Sequence, residues 1–173
     1  MSLAEDAGHR LLDRMADPEL RLQHAMDLAS RYLGHRDRTV AEVRRHLEAK
    51  RVEPDTIDEV VAELSRMGYL DDVRYAQRFT ADRRTLDGWG AERIGRRLLA
   101  AGVAPDVAEA AVGGREADDE LQAALALLQR RFGAGLADDR ERERALGHLV
   151  RKGYELDLAY DAVRAHARRA DAA

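Results

Sequence analysis

A gap-free similarity recurs every 51 residues and constrains this chain more than any other feature. Residues 43–52, 94–103 and 145–154 resemble one another. Leu47, Leu98 and Leu149 correspond, as do Val43, Ile94 and Ala145, and His46, Arg97 and His148 share the neighbouring face. Pro54 and Pro105 also correspond, each followed by Asp and a new apolar segment. Similarity at a fixed period marks a chain of stacked units, each too small to bury its apolar face alone.

The units read as helical. Ile57, Val60, Val61, Leu64 and Met67 fall at helical spacing and form one stripe; Leu121, Leu125, Leu128 and Phe132 form another. No stretch alternates as a half-buried strand would. The spacing predicts helices over about 22–33, 40–51 and 54–67, then 72–84, 91–101 and 105–112, then 118–132, 138–152 and 155–169. Thr39 and Glu42 fit a capping box. Pro54 and Pro105 suit a first helical turn, and Gly102 and Gly153 suit the left-handed residue that closes a helix. Arg51 stands at that place in the first unit and predicts a different ending there, since a side chain in that conformation costs about 1 kcal/mol. The expected fold is all-α: an elongated, curved tandem array of three three-helix, helix-turn-helix-like repeats. The expected boundaries are a flexible leader over 1–19 and repeats over 20–70, 71–114 and 115–173.

Composition removes most chemistry. There is no cysteine, which excludes a disulfide framework, thiolate catalysis and a cysteine-based zinc site. No apolar run is long enough to span a membrane, and charge scattered through Met1–Pro18 predicts no secretory signal. The expected setting is the cytoplasm. His9, His24, His35, His46, His148 and His166 never pair at i, i+4, so they read as solvated rather than metal-binding. Asp71 and Asp72, and Asp118, Asp119 and Glu120, sit at expected helix starts, where carboxylates favour the helix dipole; they read as caps. His35-Arg36-Asp37 resembles part of a kinase catalytic loop but lacks that site's other elements. Walker loops and nucleophile elbows are missing. No enzyme activity, metal or cofactor is expected.

Binding remains. The formal net charge is −4, with 29 Lys+Arg against 33 Asp+Glu, which argues against a non-specific nucleic-acid coat. The third helix of the first repeat carries Asp55, Asp58, Glu59 and Glu63, so it does not read a DNA groove as a recognition helix would. The basic residues lie on the first and middle helices: Arg36, Arg38, Arg44, Arg45, Lys50 and Arg51; Arg74, Arg78, Arg83, Arg84, Arg93, Arg96 and Arg97; Arg130, Arg131, Arg151 and Lys152. All but Lys50, Arg51 and Arg151 are the candidate binding face. Guanidinium forks match carboxylate and phosphate. Trp89 is either a partner anchor or a plug between helices.

Residues 36–43, Leu47 and residues 67–76 together resemble the RecX family of RecA regulators. The run Gly68, Tyr69, Leu70, Asp71 and Asp72, leading to Arg74, Tyr75 and Ala76, is the most specific element. The helix with Ile94, Leu98 and Gly102 and the turn at 129–133 also fit. The resemblance covers about residues 22–169. It implies a non-catalytic array that binds RecA and RecA–DNA filaments and suppresses ATP hydrolysis, strand exchange and coprotease function. It makes the 68–76 motif mainly structural. Weak contact with single-stranded DNA is a further expectation, and a single-stranded-DNA-binding competitor of RecA is the alternative. No membrane partner is expected, and the chain is expected to be a monomer because tandem repeats already supply several contacts.

Overall fold

The computed structural model describes residues 17–133, 135–136 and 138–171. Among these it holds nine helices and no strand: α1 (Pro18–Leu33), α2 (Val40–Ala49), α3 (Pro54–Arg66), α4 (Asp72–Asp87), α5 (Ala91–Ala100), α6 (Pro105–Val112), α7 (Ala117–Phe132), α8 (Asp139–Lys152) and α9 (Leu156–Asp171). Helix α1 starts earlier than the apolar spacing suggests. Asp17 caps it by accepting the Glu19 N–H at 2.9 Å, and Pro18 occupies the first turn. The end of the leader expected over 1–19 therefore falls inside α1, and residues 1–16 lie outside the described residues.

Local chemistry explains the other boundaries. At α2, the Thr39 hydroxyl accepts the Glu42 N–H and the Glu42 carboxylate accepts the Thr39 N–H, both at 3.1 Å. The three middle helices end alike. The Val52, Val103 and Tyr154 amides donate to the carbonyls of Leu47, Leu98 and Leu149 at 3.1, 3.1 and 3.2 Å. This 6→1 closure needs a left-handed residue just before the donor. Gly102 and Gly153 supply it, and so does Arg51, at φ 61°. The first repeat thus ends its helix like the others, contrary to the sequence expectation: the closing bond and the burial behind it outweigh the local strain of an arginine there.

The 51-residue register is also a register of burial. Val43, Ile94 and Ala145, and Leu47, Leu98 and Leu149, are all fully buried. Ile57, Ala108 and Ala159 are buried at the matching place on the third helices.

The chain divides into two compact units, one ending at Tyr75 and one beginning at Ala76. In the first, Ala25 and Ala29 of α1 pack with Val43, Leu47, Ile57, Val60, Leu64 and Leu70. In the second, Leu125 and Leu128 of α7 pack with Ala145, Leu149, Tyr154, Ala159 and Val163. Within that unit, the start of α5 abuts the end of α8. Gly90 N–H donates to the Lys152 carbonyl at 2.9 Å and Glu92 N–H to the Gly153 carbonyl at 3.1 Å. Lys152 Nζ donates to the Asp87 carbonyl at 2.7 Å, and Glu120 accepts the Ala91 N–H at 3.2 Å. Unpaired amides of one helix start thereby meet unpaired carbonyls of another helix end, which also opposes the two dipoles favourably. No side chain fits between them. A Cβ on Gly90 would overlap the Gly153 carbonyl, and one on Gly153, at φ 90°, would overlap the Arg93 backbone.

Two stability changes follow. Arg51→Gly relieves the left-handed arginine and raises the unfolding free energy by about 1 kcal/mol, read from urea unfolding. Gly153→Ala forces the joint apart and lowers it by roughly 1–3 kcal/mol; an unchanged unfolding midpoint would mean that the joint contributes nothing.

Candidate functional site

The fourteen basic residues marked in the sequence divide into those already engaged and those that are not. In the first unit, Arg36 donates to Glu42 at 2.8 Å and Arg38 lies 3.6 Å from the same carboxylate, stacked over Tyr32 at 4.1 Å. Arg44 pairs with Asp58 at 2.6 Å, Arg45 donates to the Ala41 carbonyl at 3.3 Å, and Arg74 donates to the Gly68 carbonyl at 2.6 Å. In the second unit, Arg83 pairs with Asp87 at 2.5 Å, and Arg84 donates to the Val112 carbonyl at 2.6 Å, closing the end of α6. Arg93 stacks on Trp89 at 4.1 Å and donates to the Arg151 carbonyl at 2.9 Å. Arg78 is engaged within the fold as well. Arg44, Arg84 and Arg93 tie separate helices together, as Lys152 does at the joint, while Arg45 and Arg83 bond within their own helices.

Arg96, Arg97, Arg130 and Arg131 differ. They are exposed and make no hydrogen bond or ion pair among the described residues. All four lie in the second unit, Arg96 and Arg97 on α5 and the other two at the end of α7. Arg131, Arg151 and Lys152 all lie within electrostatic reach of His148. Arg84, Arg115 and Arg130 lie near the buried residue Tyr154, and Glu120 acts on the same phenol. Burial pushes that phenol up. Glu120 also sits 3.6 Å from Arg115 and 4.0 Å from Arg84. It was legible as a cap, but the amide it caps belongs to α5 rather than to its own helix.

Trp89 is half-buried beneath Arg93, with Phe79 edge-on at 6.4 Å, so it plugs a gap between helices. The 68–76 motif splits by direction. Gly68 (φ 76°) closes α3, and Leu70 is buried. Asp71 accepts the Arg74 N–H, and Asp72 accepts the Val40 N–H, both at 2.9 Å. Burial pushes the Asp72 carboxyl up despite that bond. Tyr75 is half-buried and Ala76 fully buried. Tyr69 points outward, 66% exposed, with Met67 and Val73 also half in solvent; hydrophobicity in the sequence gave no sign of that.

Three family models match in series: the first, second and third three-helix domains of RecX, over residues 25–64, 71–112 and 118–163. The chain belongs to the RecX family. It is 38% identical over 135 residues to the regulatory protein RecX of Trichlorobacter lovleyi, covering 75% of this chain and 87% of that one. It is 32% identical to the regulatory protein RecX of Amycolatopsis mediterranei, covering 85% of each chain. The crystal structure of RecX from Lactobacillus salivarius shares the fold at a TM-score of 0.74 and 19% identity, covering 84% of this chain and 96% of that one. A RecX-family role is therefore regulatory. No helix among the described residues is long and apolar enough to cross a membrane.

Three histidines of this RecX-family chain depart from the solvated expectation. His46 stacks flat on Tyr32 with ring centroids 4.1 Å apart, and its repeat counterpart His148 meets Phe132 edge-on at 6.2 Å. His166 is buried where Leu64 stands in the first repeat, and its Nε2 has no partner among the described residues. Burial, then Lys50 and Arg38, hold the His46 imidazole below its usual range; burial, then Lys152, Arg131 and Arg151, do so for His148. A folded pKa below the unfolded value of about 6.5 means stability is complete above that pH and is lost as pH falls below it. Unfolding free energy should therefore drop as pH falls below about 6.5, and the double variant His46→Gln/His148→Gln should flatten that slope. An equally steep slope in the variant would assign the loss to other groups.

Proposed function

We propose that the chain is a non-enzymatic regulator that binds RecA and RecA–DNA filaments and restrains RecA's ATP hydrolysis, strand exchange and coprotease function. The observation that carries this reading is the set of four unpaired, exposed guanidinium groups, Arg96, Arg97, Arg130 and Arg131, on a chain of net charge −4. A cation already paired within the fold gains little from a new anion, because it must first give up its partner. A free one makes charge-assisted bonds to carboxylate or phosphate at once. The overall negative charge disfavours a general DNA coat. Membership of a family of regulatory proteins supplies the partner class. In this reading the repeats over 20–70, 71–114 and 115–173 are successive contact modules of a cytoplasmic monomer. Holding neighbouring RecA protomers together would restrain the movements that ATP turnover requires.

The test is a titration against single-stranded DNA alone, RecA alone, and the ATP-bound RecA–DNA filament. Preference for the filament is expected. Arg96→Glu/Arg97→Glu should weaken filament binding by about tenfold and relieve ATPase inhibition in step, whereas Arg36→Ala, at an arginine already paired with Glu42, should change little. Equal affinity for bare DNA would favour the competitor reading instead. Undiminished inhibition by the folded double variant would remove α5 from the interface.

A further inference from the structure

The end of α8 carries positive charge that the fold leaves uncompensated. His148, in the last turns of that helix, is half-buried against Phe132 of α7. The charged groups acting on its imidazole are Lys152 and Arg151 from its own helix and Arg131 from α7, all cations. No carboxylate among the described residues acts on it. Asp87 is paired with Arg83, and Glu143 lies in the groove between α8 and α9 with Arg142 and Arg164.

These cations are available. Arg131 and Arg151 are exposed, and their guanidinium groups make no hydrogen bond or ion pair among the described residues. The same holds for Arg144, one turn before His148. Lys152 Nζ donates to the Asp87 carbonyl, a neutral acceptor that leaves its charge in place. Gly147 shapes the cluster. Arg151 folds back along α8 over it, with Nη1 3.1 Å from where a Cβ would stand. Glycine inside a helix is destabilising relative to alanine; here it admits a guanidinium that a side chain would press outward.

Several cations in one place with no anion among them suit a polyanion better than a single acid. One carboxylate would neutralise one cation and leave the others repelling each other. Consecutive phosphates of a nucleic-acid strand bring several charges at short intervals, and guanidinium forks match them. Such an anion also acts on His148. It offsets the cations that disfavour the imidazolium, so the protonated form gains.

We infer that Arg131, Arg151 and Lys152 bind successive phosphates of a DNA strand, and that His148 takes up a proton as the strand binds. This rests on the proposed filament-binding role and deepens it: the α7–α8 cluster meets the filament's DNA, and Arg96 and Arg97 are left for RecA. The site is local, so a bare strand binds more weakly than the filament.

The test uses the full-length chain and a labelled thymidine oligonucleotide, with affinity read by fluorescence anisotropy. Binding should tighten roughly three- to tenfold from about pH 8 to about pH 6. Calorimetry in two buffers of different ionisation enthalpy should show proton uptake over that range. His148→Gln should remove most of the tightening and the uptake, and His46→Gln should keep both. Arg131→Gln/Arg151→Gln should weaken binding about tenfold and lower the slope of log affinity against log salt by about 1.4. Unchanged DNA affinity in the folded double variant overturns the site, and proton uptake that survives His148→Gln overturns the coupling. A double variant that loses RecA alone but keeps the oligonucleotide assigns these arginines to carboxylates and overturns the inference. Inorganic phosphate or ATP that displaces the oligonucleotide at equal phosphate concentration assigns the site to a small phosphate compound, and overturns it also. Filament binding with no affinity for the bare strand overturns the site and leaves the RecA role standing. Strand binding as described, with none to RecA or the filament, supports the site and overturns the RecA role.

Discussion

One hydrogen bond, made three times, sets the frame of this protein. The amide after each left-handed residue returns to the buried leucine carbonyl five positions back, at Val52 to Leu47, Val103 to Leu98 and Tyr154 to Leu149. That bond fixes where each middle helix stops and sends the chain into the third helix at a constant register. The burial of Ile57, Ala108 and Ala159 depends on it. Arg51 shows how strong the requirement is: an arginine accepts the left-handed conformation so that the closure can form.

Much of this was legible in the sequence because it is local. Proline at a first turn, the Thr39–Glu42 box and glycine before a 6→1 bond are decided by neighbours in the chain, and the apolar stripes follow from helical period alone. The residue that misled was Arg51, where local cost argued one way and the buried closure behind it the other. The start of α1 was missed because Asp17 and Pro18 define it without any apolar stripe.

The binding surface was less legible, and for a physical reason. Composition identifies arginines, but their availability is settled by tertiary partners. Arg93 and its acceptor Arg151 are 58 residues apart, and Arg84 reaches a carbonyl 28 residues away. Sequence spacing sees only i, i+3 and i+4 partners, so it counted Arg93 and Arg84 alongside Arg96 and Arg97. Direction was hidden in the same way at Leu70 and Tyr69, adjacent apolar residues of which one is core and the other surface. The electrostatic picture changes accordingly: ten of the fourteen marked cations are engaged by the fold's own groups, and the other four, Arg96, Arg97, Arg130 and Arg131, lie on the second unit.

The contact between Gly90 and Gly153 carries an implication for how such chains diverge. Its central bonds run from backbone to backbone, so they depend on the spacing of the chain on each side. One residue added or lost on either side would turn the following helix by about 100° and move its amides away from their acceptors. Homologous chains that keep this joint are therefore held to a fixed length through the segments at 88–91 and 152–154. Insertions would accumulate in connections that do not pass through it.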